Sequence, residues 1–294
     1  MTTMTTCKVA VMQMCSTDSL QENLDFVEKA LPELKEKGVQ LLALPECFSL
    51  MPSTSSQRRI AAEQLGDGPT QATLSRWAKT FDLWIVAGTI PILSDDSERF
   101  YATSLVYNAA GEQVLHYHKM HLFDADFTSV AGTDEKKAKR ESFKESAYTV
   151  GGKEFSPVST PWGALGLNIC YDLRFPELSR ALSGQRDEAP LSILVVPSAF
   201  ALTTGRAHWE ILLRARAIEN QCFVLAPAQC GQHHANRASY GHSLIIDPWG
   251  NILAEADDSP ITLIESLSLP TIEKVRQALP ALAHRKINLE TKVN

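Results

Sequence analysis

Val39–Glu46 reads VQLLALPE, and this short stretch decides the class of fold. Its first six residues are apolar apart from one glutamine, as in a strand that is buried on both faces. Pro45 ends the run because proline cannot donate to a sheet ladder, and Glu46 follows at once. A charged residue directly beyond a buried strand lies where α/β proteins collect catalytic and ligand-binding groups.

The segments on either side of this strand continue an alternation of strands and helices. Lys8–Met14 alternates as a strand does, and the helix predicted after it ends at Gly38. Pro32 inside that helix predicts a kink or break near Leu31, because proline removes a backbone hydrogen bond. Farther along, the sequence predicts strands at 83–87, 191–196, 222–226 and 261–267, helices at 69–81, 206–220 and 271–278, and hairpins within 103–119, 158–169 and 243–254.

Hairpins mixed with strand–helix–strand units predict mixed sheets that are covered by helices on one side. We therefore expect two packed sheets with outer helices. No repeat of fixed period and no long glycine- or serine-rich linker divides the 294 residues, which predicts a single domain over 1–294. The charge-rich stretch Asp134–Lys144 is expected to be an exposed loop.

Charge and composition exclude several classes of protein. Lysine and arginine total 28 against 34 acidic residues, for a net charge of -6. A mildly acidic chain without a basic block predicts no binding to nucleic acid or to anionic membranes. No apolar stretch approaches the roughly 20 residues of a membrane span. The six cysteines include no C-x-x-C pair, so we expect free thiols in a reducing compartment, the cytoplasm.

Three reactive side chains stand at the ends of three predicted strands. Glu46 follows VQLLALP, Lys119 ends QVLHYHK, and Cys170 ends ALGLNIC. Each feature alone is common, since a glutamate after a strand is usually a solvated loop residue and a cysteine there is usually a small buried hydrophobe. Because catalytic groups gather beyond strand ends, the three separate elements are expected to converge.

Three segments resemble the signatures of the nitrilase superfamily of carbon–nitrogen hydrolases: Leu44-Pro45-Glu46, the Lys119 of HYHKMHLFD, and GLNICYDLRFPELS. The resemblance extends from about Lys8 to about Arg285. It implies an α/β fold of the four-layer α-β-β-α sandwich type. It also implies a homodimer in which two sandwiches pack together, with a core at about 8–270 and the C-terminal segment 271–294 at the dimer interface.

Amide hydrolysis by covalent catalysis needs these three residue types: a nucleophile, a proton carrier and a cation for the oxyanion. Cys170 would be the nucleophile and Glu46 the general base. Lys119 would stabilise the tetrahedral oxyanion as a fixed charge. The resemblance implies the backbone N–H of Tyr171 as the second oxyanion donor.

Glu145 lies in FKESAYTVGG, which resembles the family segment that carries a second, supporting glutamate. The resemblance implies that Glu145 braces Lys119 or orients the substrate. The alternative is one more acidic residue in a charged loop. Cys47, next to Glu46, is expected to serve packing, because adjacent side chains diverge on an extended backbone.

Arg174 follows Cys170 by four residues, and its forked guanidinium suits a bidentate grip on a carboxylate. We expect a substrate contact there, since that turn starts at the nucleophile. The alternative is a structural pair with Asp172 or Glu177. Two hydroxyl groups in AFALTTGRAHWE are further candidates for substrate contact, those of Thr203 and Thr204.

Clustered histidines raise metallohydrolase chemistry as a rival class, because histidine and carboxylate are zinc ligands. The residues concerned are His116, His118, His121, Asp124, His233 and His234. No H-E-x-x-H motif occurs, and a lysine among the ligands would repel a metal ion. We therefore predict structural histidines, no metal site and no cofactor.

Longer segments resemble one branch of the superfamily, the deaminated-glutathione amidases. They are SPVSTPWGALGLNICYDLRFPELS, HWEILLRARAIENQCFVLAPAQCG and HHANRASYGHSLIIDPWGNILAEA. This branch acts on 2-oxoglutaryl-cysteinylglycine and releases 2-oxoglutarate and cysteinylglycine. The sister branch, ω-amidase, cleaves 2-oxoglutaramate, and the form of the loop Ala228–Ser243 favours the first branch.

One alternative function, the location of substrate selectivity and one unassigned segment remain to be considered. A catalytically inactive binding or assembly partner is the alternative from a different class, and the intact Glu46, Lys119 and Cys170 argue against it. Selectivity for deaminated glutathione is expected near Cys230–Tyr240, where His233, His234 and Arg237 would meet the terminal glycine carboxylate. The segment Met51–Gln64 matches no recognisable signature.

Overall fold

The computed structural model describes residues 5–126, 142–184, 190–235 and 237–287. The helices in these ranges are α1 (Leu20–Glu36), α2 (Ser55–Ile60), α3 (Pro69–Phe81), α4 (Pro176–Leu182), α5 (Leu202–Asn220) and α6 (Pro270–Ala278). The strands are β1 (Thr6–Gln13), β2 (Leu41–Leu44), β3 (Trp84–Ala87), β4 (Ile90–Leu93), β5 (Phe100–Tyr107), β6 (Gln113–His118), β7 (Asp124–Asp126), β8 (Ser142–Lys144), β9 (Val158–Thr160), β10 (Gly163–Leu167), β11 (Ile193–Val195), β12 (Phe223–Ala226), β13 (Cys230–His234), β14 (Arg237–Tyr240), β15 (Leu244–Ile246), β16 (Ile252–Glu255) and β17 (Ile261–Ser268).

Two mixed sheets carry the fold, as the sequence predicted. The first has the order β17-β1-β2-β3-β5-β4, with β6 paired to β5. Its central strands β1, β2 and β3 run parallel, and the outer pairs are antiparallel. The second sheet has the order β16-β15-β12-β11-β10-β9, again with a parallel centre, β10, β11 and β12. Parallel centres arise because helical crossovers return the chain to the same edge.

Alternating residues of the buried strands face two different layers. Val9 and Val11 of β1 belong to the core that the first sheet shares with the second. Ala10 and Met12 of the same strand pack with α1 and α3, against residues such as Trp77. On the far side, α5 covers the second sheet with buried side chains that include Trp209 and Leu213. This period of two places two sheets between helices and confirms the α-β-β-α arrangement.

The helix α1 continues through Pro32, so of the predicted kink or break near Leu31, the break is wrong. The buried residues Val27, Leu31 and Leu34 hold that helix against the sheet on both sides of the proline. Tertiary packing therefore outweighs the one hydrogen bond that proline removes.

Several elements have no counterpart in the sequence-based prediction. They are the short helices α2 and α4, the strand β4, the hairpin β13–β14 and the paired strands β7 and β8. Of the predicted charged loop Asp134–Lys144, Ser142–Lys144 forms β8 and residues 134–141 lie outside the described ranges. In the part of the chain that the structure describes, no helix has the length and apolarity of a membrane span.

Candidate active site

The side chains of Glu46, Lys119 and Glu145 form one buried cluster. Lys119 follows β6, and its Nζ donates to Glu46 Oε1 at 2.8 Å. The same Nζ lies 3.0 Å from Glu145 Oε1 and 2.9 Å from Oε2. The lysine is only 2% exposed, so its charge is held between two carboxylates away from water. Burying a charge is tolerated where it is paired and hydrogen-bonded in this way.

Glu46 is fixed from a second direction by the loop that follows β11. Its Oε2 accepts a hydrogen bond of 2.8 Å from the backbone N–H of Ala199. Gln229 Nε2 donates to the Glu46 carbonyl at 3.0 Å. With Lys119 on one carboxylate oxygen and Ala199 on the other, the Glu46 side chain has one defined orientation.

Cys170 stands at the start of a 3₁₀ turn with a left-handed backbone, φ +49°. This conformation costs energy for any residue with a Cβ, and functional sites are where such strain is tolerated. The Cys170 N–H donates to Pro197 O at 2.9 Å, and the thiol hydrogen-bonds with Glu46. Asp172 N–H makes the first bond of the turn, to Ile169 O. The N–H of Tyr171 precedes that bond and has no acceptor within the turn.

Asp172 ties the nucleophile turn to the loop after Lys119. Its Oδ2 accepts from Tyr117 Oη at 2.7 Å and from Ile169 N–H at 2.9 Å. Its Oδ1 accepts from the backbone N–H of His121 at 3.0 Å and lies 2.7 Å from His121 Nδ1. A fully buried carboxylate with four partners fixes the spacing between the two loops.

The electrostatics favour an ionised glutamate beside a protonated thiol. Burial works against the charge on Glu46, yet Lys119 and its hydrogen bond hold the pKa of that carboxyl below its ordinary value. Burial and the charge of Glu46 raise the pKa of the Cys170 thiol well above its usual range. Burial also raises the pKa of Glu145, against the effect of Lys119. Glu46 is thus a charged acceptor, and the protonated Cys170 thiol is hydrogen-bonded to it.

A cavity of about 330 Å³ opens onto this cluster. It is lined by Glu46, Cys47, Met51, Pro52, Ser53, Thr54, Arg58, Thr89, Phe100, Ala102, Lys119, Phe123, Ser142, Phe143, Glu145, Tyr148, Thr149, Cys170, Ala199, His234 and Arg237. The volume falls in the range of small-molecule sites. The structure therefore brings four of the candidate residues, Glu46, Lys119, Glu145 and Cys170, to one cavity.

Arg174, Thr203 and Thr204 are not among the residues that line this cavity. Arg174 Nη1 lies 3.1 Å from His208 Nδ1, and the guanidinium stands over the ring of Phe200. Neither alternative carboxylate forms an ion pair with Arg174 in the described ranges, and Asp172 is occupied by the contacts given above. Thr203 and Thr204 lie in the first turn of α5, with Thr204 buried.

The histidines of the rival metal hypothesis are dispersed among local contacts. His118 Nδ1 lies 2.7 Å from Thr103 Oγ1, and burial lowers the pKa of His118 to about 4. His121 belongs to the Asp172 contacts, and Asp124 accepts from Ser146. His233 Nε2 lies 2.9 Å from Ser239 Oγ. Among the described residues, no group of three or more histidine, cysteine or acidic side chains is arranged to hold a metal ion.

Cys47 lines the same cavity as Glu46, so the expectation that these adjacent side chains diverge is wrong, whereas its packing role stays a prediction. The expectation assumed an extended chain, whereas Cys47 has φ +57° in the turn after β2 and faces the same space as its neighbour. Its N–H is held by Thr89 Oγ1 at 2.8 Å. Burial and the charge of Glu46 raise the pKa of its thiol to about 11.

Sequence reasoning also missed Arg58 and Tyr148. Arg58 lies in the segment without a signature, and its guanidinium stacks 3.8 Å from the ring centre of Tyr148. Tyr148 follows Glu145 in the chain, and its ring packs against Phe100. Only a helical period starting at the Thr54 cap could have indicated α2, and nothing in that pattern shows which side faces the cavity.

Comparisons with known proteins show which family and which folds this chain resembles. The family profile for carbon–nitrogen hydrolase matches residues 8–277. A deaminated glutathione amidase from Yersinia enterocolitica is 38% identical over 279 residues, which cover 95% of this chain and 92% of that protein.

Two solved structures share the fold and at least 30% of the sequence. The Caenorhabditis elegans NitFhit protein is 34% identical with a TM-score of 0.84, and the match covers 96% of this chain. This chain spans only 65% of the NitFhit chain. Nit3 from Saccharomyces cerevisiae, a member of branch 10 of the nitrilase superfamily, is 31% identical with a TM-score of 0.80 and covers 96% of this chain and 97% of its own.

Proposed function

The chain belongs to the carbon–nitrogen hydrolase family, and from that premise we propose that it hydrolyses deaminated glutathione to 2-oxoglutarate and cysteinylglycine. One observation carries the proposal: a thiol, a carboxylate and a buried ammonium group meet in one cavity, at Cys170, Glu46 and Lys119. The amidase from Yersinia enterocolitica, similar along nearly its whole length, supports this choice of substrate.

In the first step, Cys170 attacks the carbonyl carbon of the scissile amide. Its thiol proton passes to Glu46, a carbon–sulfur bond forms, and the carbonyl electron pair moves to oxygen. The pKa directions fit this start, since Glu46 is held ionised and burial holds the thiol protonated. Proton transfer within an existing hydrogen bond avoids the cost of a free thiolate in a buried site.

Lys119 and the Tyr171 N–H stabilise the resulting oxyanion. Lys119 is already held by Glu46 and Glu145, so little reorganisation is needed when the charge develops. We assign Glu145 a positioning role, because it reaches the reaction through Lys119. Phe123 N–H donates to Glu145 Oε2 at 2.7 Å and holds that carboxylate in place.

When the tetrahedral intermediate breaks down, the proton that Glu46 took from the thiol passes to the leaving group. Protonated Glu46 gives its proton to the amide nitrogen, the carbon–nitrogen bond breaks, and cysteinylglycine leaves. A thioester remains on Cys170. Water then attacks the thioester with Glu46 as the base, and collapse expels the Cys170 sulfur, which recovers the proton from Glu46 as 2-oxoglutarate departs.

We propose that Arg174, with Thr203 and Thr204, holds the carboxylate of the 2-oxoacyl part. Arg174 belongs to the turn that begins at Cys170, and its guanidinium lies over the ring of Phe200 with Nη1 3.1 Å from His208 Nδ1. Arg237 and His234 line the catalytic cavity and would meet the leaving dipeptide. Hydrolysis of 2-oxoglutaramate is the alternative activity, and it needs no dipeptide subsite.

A homodimer and a single domain over 1–294 complete the proposal. Ile211 and Ile218 of α5 are 68% and 49% exposed, and Trp249 of the β15–β16 turn is 54% exposed. Arg214 Nε donates to Gly250 O at 2.9 Å and joins the helix to that turn. Exposed apolar groups on one face favour a partner of the same kind. We propose that the C-terminal segment 271–294, which the structure describes as far as residue 287, contributes to the dimer interface. All six cysteines are free, which supports a cytoplasmic location.

The deciding experiment compares four substrates with the purified protein: deaminated glutathione, 2-oxoglutaramate, glutamine and a simple nitrile. We expect the highest kcat/KM for deaminated glutathione and a thioester adduct on Cys170 by mass spectrometry. A higher kcat/KM for 2-oxoglutaramate would replace the proposal with the ω-amidase activity. Absence of turnover on all four would favour an inactive binding or assembly partner.

A further inference from the structure

Arg58 is a charged residue of the catalytic cavity that takes no part in the mechanism above. The guanidinium lies 3.8 Å from the ring centre of Tyr148, and the residue is half-buried. Within the described ranges it forms no ion pair and no hydrogen bond. Stacking uses the flat face of a guanidinium and leaves the N–H groups in its plane available for a bidentate acceptor.

The short helix α2 is anchored so that Arg58 faces the cavity. Thr54 caps the helix, and the Thr54 N–H donates to Gln57 Oε1 at 3.1 Å. Asp18 Oδ2 accepts from Gln57 Nε2 at 3.0 Å and from Ser53 Oγ at 3.1 Å. With Gln57 tied to another part of the chain, the rotation of the helix is set.

The next residue on the same helix provides a contrast. Arg59 is exposed, and its Nη1 lies 3.6 Å from Glu98 Oε1, outside the cavity. Two adjacent arginines therefore have different surroundings, one over an aromatic ring in the cavity and one beside a carboxylate at the surface. Arg59 is the matched control for Arg58.

The charges of the cavity lining favour an anionic ligand. Glu46 and Glu145 contribute two negative charges and Lys119 one positive charge, all within the buried cluster. Arg58 and Arg237 add two positive charges, so these five groups sum to +1. Neither arginine has a carboxylate partner among the residues that the structure describes. Arg237 Nη2 instead donates to Ala199 O at 2.8 Å.

The proposed substrate carries a carboxylate on each side of the scissile amide. The 2-oxoacyl carboxylate lies at the end of the acyl chain remote from the scissile carbonyl, and the glycine carboxylate lies at the far end of the leaving dipeptide. Arg174 is assigned above to the 2-oxoacyl carboxylate, which leaves the glycine carboxylate for the arginines that line the catalytic cavity, Arg58 and Arg237. Arg237 already donates to Ala199 O, whereas the N–H groups of Arg58 have no hydrogen-bond partner in the described ranges.

We propose that Arg58, supported by Tyr148 and assisted by Arg237, binds the terminal carboxylate of the leaving cysteinylglycine and so determines selectivity for a dipeptide amide. This inference rests on the proposed hydrolysis of deaminated glutathione. It assigns the segment Met51–Gln64, which matched no signature, to the recognition of the leaving group.

The test pairs a change in the protein with the same change in the substrate. Arg58→Gln and Arg59→Gln are compared with wild type on deaminated glutathione and on its analogue with an amidated glycine carboxylate. Hydrogen bonds to a charged group are worth about 1.5–3 kcal/mol, so we expect Arg58→Gln to lower kcat/KM for the acid by about 10- to 100-fold. With wild type, kcat/KM for the amidated analogue should be lower than for the acid by about the same factor. On the amidated analogue, Arg58→Gln and wild type should have the same kcat/KM.

Each other result has a separate meaning. Equal losses on both substrates, or none on either, would overturn the assignment of Arg58. Arg59→Gln should match wild type, and an equal loss in this variant would also overturn it, by showing a nonspecific effect of charge. If wild type cleaves neither substrate but cleaves 2-oxoglutaramate, the proposed function fails and the dipeptide subsite fails with it. Thermal melting confirms that both variants are folded.

Discussion

The catalytic centre and the outer part of the same cavity hold their charges in opposite ways. In the centre, Lys119 is almost completely buried and has two carboxylates within 3.0 Å. In the outer part, Arg58 and Arg237 are half-buried and stand over the rings of Tyr148 and Phe143. The first arrangement neutralises a cation, and the second leaves its charge available.

This difference separates chemistry from recognition. A charge that must act on a developing oxyanion is best fixed beforehand, so that the transition state needs no rearrangement. A charge that must receive a substrate carboxylate needs free donors, and an aromatic ring positions a guanidinium without occupying them. The predictions below test whether the two regions are separable, beginning with the largest effect.

Replacing Cys170 should abolish turnover. We expect Cys170→Ala to lower kcat by about 10⁶-fold, because loss of the nucleophile removes covalent catalysis as a whole. Cys47→Ala is the control, since that thiol lines the same cavity and should keep turnover within about threefold. An active Cys170→Ala with an inactive Cys47→Ala would assign the nucleophile to the other cysteine.

Replacing Lys119 should impair both catalysis and folding. Lys119→Met removes an oxyanion donor, which costs about 10²- to 10³-fold in kcat. It also leaves Glu46 and Glu145 buried without their cation, and breaking such a pair costs about 3–5 kcal/mol of unfolding free energy. Urea unfolding measures the second effect. If the variant is as stable as wild type, Lys119 does not offset the cost of burying the Glu46 and Glu145 carboxylates.

Arg174 should matter for charged substrates only. We expect Arg174→Ala to lower kcat/KM for 2-oxoacid amides by about 10- to 150-fold and Arg174→Lys by less, because a point charge cannot replace the forked contact. Carboxylate-free amides are the comparison. Equal losses on charged and neutral amides, together with a lower melting temperature, would show that Arg174 only stabilises its contact with His208.

The acid limb of the pH profile should belong to Glu46. Its pKa is depressed below the ordinary 4.5 by Lys119, although burial opposes the shift. The ionised base and the associated stability are therefore present above 4.5 and are lost only as the pH falls through the lower folded pKa. We expect kcat/KM to be level from pH 7 to 5 and to fall about tenfold per pH unit below that pKa. A fall centred near pH 6 would contradict this assignment.

The smallest effect should come from the anchor of the outer region. Asp18→Ala removes the acceptor for Gln57 and Ser53 and so loosens the helix that carries Arg58. We expect KM for deaminated glutathione to rise about two- to fivefold with kcat unchanged, as for other exposed polar contacts. A fall in kcat without a change in KM would show that α2 also positions the catalytic centre. Asp25→Ala on α1 serves as the control.

Most of the framework could be predicted because it follows from local periodicity. The two-sheet arrangement, the parallel centres and the helices at Pro69–Phe81 and Pro270–Ala278 agree with the patterns in the chain. Strands buried on both faces have a distinct apolar run, and caps and prolines mark helix ends. The family resemblance was also confirmed, since its signatures lie on short continuous segments.

Errors arose where a distant part of the chain decides a local conformation. Pro32 does not break α1, because the sheet beneath the helix holds both of its halves. Cys47 faces the cavity, because its turn adopts a left-handed backbone held by Thr89. Neither outcome can be predicted from the residues adjacent in sequence, because packing against distant elements stabilises both local conformations.

By itself, the sequence determined the alternation of strands and helices and indicated Glu46, Lys119 and Cys170 as the candidate reactive groups. Those features depend on residue type and on spacing along one element. Only the tertiary structure decided that Ala199 orients Glu46, that Asp172 joins two loops, and that Arg58 enters the catalytic cavity. These contacts connect residues far apart in the chain, and their geometry is fixed only when the sheets and loops have packed.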